Sequence, residues 1–148
     1  MDSPKNFLIY YGRPGIGKTY LCASLVEWAF TKFNTIRYFN ERDLLKRLRN
    51  GISEGSGDYL ANLKLLMDDD LIIIDDVGSS GWNEWREEVL FEAIDLRYNS
   101  MKPTIITSNF NELEFRKIFH ERFCSRLFAH ENTLIDGKDF PDFRAINI

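Results

Sequence analysis

Eight consecutive residues, Gly12-Arg13-Pro14-Gly15-Ile16-Gly17-Lys18-Thr19, fit the pattern G-x-x-x-x-G-K-[ST]. Each part of the pattern has a mechanical role. Glycines let backbone N–H groups curl around phosphate oxygens, the lysine reaches the β- and γ-phosphates, and the last hydroxyl is a Mg²⁺ ligand. The flanks constrain the fold. Phe7-Leu8-Ile9-Tyr10-Tyr11 is a short apolar, aromatic run that reads as a buried strand. Thr19 to Phe33 holds no Pro or Gly and places Leu21, Leu25, Trp28 and Ala29 at helical spacing. Strand, loop and helix in that order put a phosphate at a helix N-terminus, where free N–H groups and the helix dipole favour anions. Gly12, Pro14, Gly15, Ile16, Gly17, Lys18, Thr19 and Tyr20 are therefore the expected nucleotide contacts.

The rest of the chain alternates strand and helix, the pattern of an α/β fold with a mainly parallel sheet. Strands are expected at Phe7–Tyr11, Ile36–Asn40, Leu71–Asp75, Thr104–Thr107 and Asn132–Ile135, with helices over both faces. A second helix is expected at Glu41–Asn50, stopped by Gly51, then a flexible connection at Ile52–Asp58 and a helix at Tyr59–Met67. Val77–Asn83 reads as a loop. Glu84–Tyr98 reads as an amphipathic helix, with Trp85, Val89, Leu90, Ala93, Ile94 and Leu96 on one side and Arg86, Glu87, Glu88, Glu92 and Arg97 mostly opposite. A polar, aromatic helical stretch runs from about Asn111 to Phe128. Asp136–Ile148, with Gly137, Pro141 and many charges, reads as a tail packed only in part.

The 148 residues suffice for one domain with a core, and 44% hydrophobic with 28% charged residues is ordinary for a globular chain. No apolar run approaches the roughly 20 residues that span a bilayer. Met1–Asn6 lacks the shape of a signal peptide, so a cytoplasmic location is the expectation. A net charge of −4 excludes a global attraction to nucleic acid and leaves only a local patch for such contact. Cys22 and Cys124 match no metal spacing and read as buried thiols; His120 and His130 form no ligand cluster.

Two further strand ends carry chemistry. Leu71-Ile72-Ile73-Ile74 runs into Asp75-Asp76, so the strand delivers two carboxylates. Asp75 is assigned to Mg²⁺, and Asp76 either polarises an attacking water or caps the following turn. Pro103–Ile106 runs into Thr107-Ser108-Asn109, where an amide beside the acidic strand end would meet the γ-phosphate, although turn chemistry explains the same residues. Arg122 and Arg126 stand four apart on one helical face. Spacing alone reads them as a solvated or salt-bridged pair.

Together these stretches resemble the AAA+ ATPases of the DnaC/DnaI helicase-loader and IstB transposition-helper family. The resemblance covers nearly the whole chain. It rests on the phosphate loop, Arg37-Tyr38-Phe39 with Asp43-Leu44-Leu45, and Leu71 to Gly78. It continues through Leu90 to Asn99, Lys102 to Asn109, and Glu121-Arg122 with Ser125-Arg126-Leu127. The resemblance implies a P-loop NTPase of three α/β/α layers, with a five-stranded parallel sheet ordered 5-1-4-3-2. It makes Asp75 and Asp76 the Walker B pair and Asn109 the sensor of the γ-phosphate. Arg126 becomes the arginine finger given to a neighbouring subunit, with Arg122 the lesser choice. Lys18, Asp76, Asn109 and Arg126 would be catalytic, Thr19 and Asp75 would hold the metal, and ATP or ADP with Mg²⁺ would be the ligand. The helix carrying Arg42, Lys46, Arg47 and Arg49 would touch single-stranded DNA. The implied partners are a DnaB-type replicative helicase, single-stranded DNA and a second AAA+ subunit.

The chain also departs from that pattern. Only Met1–Asn6 precede the first strand, where loaders usually carry a helicase-gripping domain, and no small helical lid follows the fifth strand. Residues 1–148 are expected to form a single ATPase core, with Arg144 a candidate second sensor. The readings that follow are a slow ATPase loading a helicase, an IstB-like transposition helper, or a non-catalytic, phage-type module that mimics or blocks a loader.

Overall fold

The computed structural model describes residues 7–53 and 59–145. Five strands, β1 (Phe7–Tyr11), β2 (Ile36–Asn40), β3 (Leu71–Asp75), β4 (Thr104–Ser108) and β5 (Thr133–Asp136), form one parallel sheet in the order β2-β3-β4-β1-β5. This is the expected order, read from the other edge. Six helices connect the strands: α1 (Lys18–Ala29), α2 (Glu41–Ser53), α3 (Tyr59–Leu66), α4 (Glu84–Asn99), α5 (Glu112–Ile118) and α6 (Glu121–Leu127).

Strand alternation sorts the two faces. Phe7, Ile9, Tyr11, Ile72, Ile74 and Ile106 point into a large core shared with α2 to α6. Leu71, Ile73 and Ile105 point the other way and meet Cys22 and Ala29 of α1. Helices do lie on both faces, but unequally: among the described residues α1 alone covers the second face. The same alternation decides where the acid goes. Asp75 shares the face of Leu71 and Ile73, so β3 delivers its carboxylate to the beginning of α1.

Several expected boundaries move, each for a physical reason. Helix α2 passes through Gly51 and ends at Ser53, because a single helical glycine costs only about 1 kcal/mol. Of the expected connection Ile52–Asp58, residues 54–58 lie outside those described, as do residues 1–6 and 146–148. Helix α1 stops at Ala29, and Thr31 to Phe33 continue in turns. The stretch from Asn111 to Phe128 is two helices. α5 opens with a capping box between Asn111 and Glu114, and Phe119 is extended. The break has a visible cause: the His120 backbone N–H is donated to the Glu87 carboxylate at 2.5 Å. Phe115, Phe119 and Phe123 then stack across the break, with ring centroids 4.9 to 6.3 Å apart.

The polar side of α4 is the main correction. Glu87 and Arg97 are 2% and 1% exposed, not solvated. Each carries enough partners to be buried. Arg97 donates to the carbonyls of Met67, Asp69, Asp70 and Pro103 and to the Thr104 hydroxyl, binding the start of β3 to the start of β4. Burial lowers its pKa to about 10 against the opposing pull of Asp69, Asp68 and Asp70. Glu87 accepts from the Trp82 indole at 2.6 Å and the His120 imidazole at 2.8 Å, besides the His120 backbone.

Burial alone would raise the Glu87 pKa. The hydrogen bonds from His120 and Trp82 outweigh it and hold the carboxyl below its ordinary value of 4.5. An acid depressed in the folded state adds stability above its unfolded pKa and loses it as pH falls through the folded one. Glu87→Gln should therefore cost about 1–3 kcal/mol in urea unfolding at neutral pH, as lost charge-assisted bonds do. The gap to wild type should narrow as pH drops below 4.5. A gap independent of pH would refute the carboxylate's role.

Candidate functional site

The phosphate loop leaves β1 and turns into α1 on left-handed glycines. Gly15 has φ 90° and Gly17 φ 82°, conformations open to glycine at little cost. Gly17 is the N-cap of α1, with no side-chain cap and no acidic residue in the first turn. No acidic residue of the first turn of this 12-residue helix competes for its first N–H groups, although the Asp142 carboxylate packs against Gly15 of the loop. Lys18 is nearly buried, and its ammonium donates to the Gly12 and Arg13 carbonyls at 2.8 and 2.9 Å. Burial lowers its pKa, Asp76 and Asp75 oppose that shift, and Arg144 adds to it.

The acidic strand end faces this loop. The Asp75 carboxylate accepts from the Thr19 hydroxyl at 2.9 Å, the Tyr38 phenol at 2.6 Å and the Thr107 hydroxyl. Burial first, then the bond to Asp75, raises the Tyr38 pKa, so the phenol stays a donor. Asp76 has φ 64°, rare for a residue with a side chain. Thr107 holds it there: its hydroxyl accepts from the Asp76 N–H and its carbonyl from the Val77 N–H, both at 2.9 Å. Observed strain of this kind, on the order of 1 kcal/mol, is a mark of functional positions.

Lys18, Thr19, Asp75, Asp76 and Asn109 line one cleft of about 520 Å³, with Phe143 and Arg144 on its rim. Of Thr107, Ser108 and Asn109 at the end of β4, only Asn109 is among these lining residues. The Thr107 hydroxyl serves Asp75, and the Ser108 hydroxyl donates to the Val77 carbonyl at 2.6 Å. The C-terminal segment is more anchored than its composition suggests. Gly137 donates to the Tyr11 carbonyl at 2.8 Å, Arg13 to the Phe140 carbonyl at 2.9 Å, and Phe143 to the Gly15 carbonyl at 2.9 Å. No helix follows β5 among the described residues.

Arg126 and Arg122 do not line this cleft. The Arg126 guanidinium pairs with Asp95 at 2.8 Å and lies over the Tyr98 ring, while that of Arg122 lies over Phe91. The buried cysteines match their expected role: burial raises both thiols, Cys22 to about 12.

The basic helix α2 lines a second groove of about 430 Å³ with Arg42, Leu45, Lys46 and Arg49. Its other wall is Ser80, Trp85 and Arg86. Arg47 is not part of it; its guanidinium lies over the Phe39 ring. Sequence reading missed Trp85 and Arg86 here because α4 spacing assigned one to the core and the other to solvent. Arg49 stacks on Trp85 at 4.8 Å, which places an aromatic face within a cationic groove.

Among the described residues no three His, Cys, Asp or Glu side chains cluster as a metal cage. One carboxylate beside one hydroxyl at a phosphate loop instead suits a cation that keeps waters and takes further oxygens from the phosphates, as Mg²⁺ does. No helix of the described residues is long and apolar enough to cross a membrane.

A parallel sheet in this order, with a phosphate loop after β1 and an acid at the end of β3, defines a P-loop nucleotide-binding domain of the AAA+ class. Residues 2–127 match the family described as IstB-like ATP-binding proteins, and the chain belongs to it. The replicative helicase loader DnaC of Escherichia coli K12 is 24% identical over 119 residues, 80% of this chain and 49% of that protein. An insertion sequence IS232 putative ATP-binding protein of Bacillus thuringiensis subsp. berliner is 28% identical over 114 residues, 77% and 44% respectively. The chain thus spans about half the length of these relatives. A crystal structure of the DnaC helicase loader superposes with a TM-score of 0.77 at 28% identity, covering 90% of this chain and 80% of that one.

The hydroxyls around Asp75 are not equivalent. Thr107 is buried and serves both Asp75 and the Asp76 N–H, whereas Tyr38 is 46% exposed, so water can replace its phenol. Thr107→Val should cost about 1–3 kcal/mol and Tyr38→Phe under about 1 kcal/mol by urea unfolding. The reverse order would contradict the assigned geometry.

Proposed function

We propose that this chain is an ATPase core that uses nucleotide state to control engagement of single-stranded DNA and a replicative helicase. One observation carries the reading: a single cleft gathers Lys18, Thr19, Asp75, Asp76 and Asn109, with Thr19 and Asp75 already 2.9 Å apart. Family membership supports ATP as the ligand, and the similarity to a helicase loader supports the biological setting.

In this reading the phosphates lie on the N–H groups of residues 15–19. Lys18 turns its ammonium from the Gly12 and Arg13 carbonyls to the outer phosphate oxygens. Thr19 and Asp75 would hold Mg²⁺, which when bound would supply charge neutralisation to the phosphates. Asp76, aimed by its left-handed backbone, orients the attacking water and draws its proton. Asn109 fixes that water against the γ-phosphate. Arg126 lies outside its own chain's cleft and is the residue offered to a neighbour's, which makes the isolated chain slow. The Arg42, Lys46, Arg49 and Arg86 groove takes the DNA backbone.

The IS232 match keeps one second reading in play, a transposition helper with the same ATPase core. A loader should bind single strands more tightly than duplex, and a helper the reverse, in salt-matched titrations.

Lys18→Ala should reduce Mg²⁺–ATP affinity by at least about 100-fold, measured by fluorescent-nucleotide titration, with folding intact by circular dichroism. Unchanged affinity would sink the ATP site. Arg126→Ala should leave nucleotide affinity within about twofold yet lower turnover of the assembled protein by about 10³-fold. Equal turnover by both proteins in the presence of single-stranded DNA and helicase would remove Arg126 from the mechanism.

A further inference from the structure

The loop after Asp76 is tied to the basic helix by one buried side chain. Glu41, the first residue of α2, is 1% exposed. Its carboxylate accepts from the Gly78 N–H at 3.0 Å, the Ser80 N–H at 2.9 Å and the Ser79 hydroxyl at 3.4 Å. The loop is itself compact: Ser79 donates to the Asp76 carbonyl and Gly81 to the Gly78 carbonyl. Asp76 at one end lines the phosphate cleft, and Ser80 at the other lines the basic groove. Arg86, on the far wall of that groove, donates to the Ser80 carbonyl. A third hollow between the two shares Asp75 and Asp76 with the phosphate cleft and Arg42 with the groove.

A buried carboxylate cannot give up its donors cheaply, because it would be left desolvated and unpaired. If Gly78 and Ser80 shift, the first turn of α2 must shift with them. Any event that moves Asp76 is thereby felt by Arg42 and Ser80. Within the reading of the two clefts as an ATP site and a single-stranded DNA groove, we propose that Glu41 is the positioning residue that couples them. With the loop clamped as seen here, the groove wall of Ser80 and Arg86 stands opposite Arg42 and Lys46. Nucleotide engaging Asp76 holds the loop in that arrangement, so DNA meets a formed groove. Linkage then requires DNA to tighten nucleotide binding by the same factor.

The test is a two-ligand titration on the 148-residue protein. Fluorescein-labelled oligothymidylate is titrated with and without Mg²⁺ and a non-hydrolysable ATP analogue. A fluorescent ATP analogue is titrated with and without unlabelled oligothymidylate. Wild type should show the same enhancement in both directions, about fivefold or more. Glu41→Gln weakens the clamp. Glu41→Asp shortens its reach while keeping a negative group at the α2 N-terminus, so it carries the test if Glu41→Gln folds poorly. Both variants should keep each separate affinity within about twofold of wild type and lose the enhancement. Enhancement retained in Glu41→Asp overturns the proposal, as does a wild type that binds both ligands independently. A general fall in both separate affinities overturns it too, because that is the signature of a merely structural residue. If wild type binds neither ligand, the assignment of the two clefts fails first and takes the coupling with it.

Discussion

The Asp75 carboxylate is the point at which four elements meet. It ends β3, and its hydroxyl donors come from β2 (Tyr38), β4 (Thr107) and α1 (Thr19). An ionised carboxylate offers about four acceptor positions and no donor. Placed at the C-terminal edge of a buried strand, it needs donors from its surroundings. Parallel strands bring their C-terminal ends to the same edge, and a short loop returns α1 there. The sheet thus supplies hydroxyls from both neighbouring strands, and the phosphate loop supplies the third. The electrostatic demand of one buried acid is met at the edge where the phosphate loop and the strand ends converge.

Much of this was legible in the chain. The alternating pattern and the glycine loop located all five strands to within a residue or so. Leu71 to Asp75 was clear because a run of four apolar residues ending in acid leaves few other readings. What escaped had no periodic signal. Glu87 and Arg97 sit at positions that helical spacing assigns to water, and only their tertiary partners reveal why they are buried. The break between α5 and α6 is invisible because it is made by a hydrogen bond to a residue 33 positions away. Tyr38, Thr107 and Glu41 were equally hidden: each acts through a contact more than 30 residues distant. The role proposed for Arg126 rests on resemblance alone, since within one chain it pairs with Asp95 and does not line the cleft.

The loop from Asp76 to Asn83 shows how a mobile-looking sequence becomes an ordered part. Gly78, Ser79, Ser80 and Gly81 supply no core of their own. Two buried carboxylates hold the segment from opposite sides, Glu41 through the amides at its start and Glu87 through the Trp82 indole at its end. Glu87 also fixes His120, the N-cap residue of α6. The acidic strand end, the basic groove and the helix bearing Arg126 are therefore joined by two acids that touch no ligand themselves.

The closure of Gly137, Phe140 and Phe143 over residues 11–15 also bears on synthesis. The cradle lies at residues 12–19, yet its outer supports come from residues 137–143. A nascent chain exposes the glycine loop early and completes its bracing only after some 120 further residues have emerged. During that interval the loop lacks the partners that hold it in the finished domain.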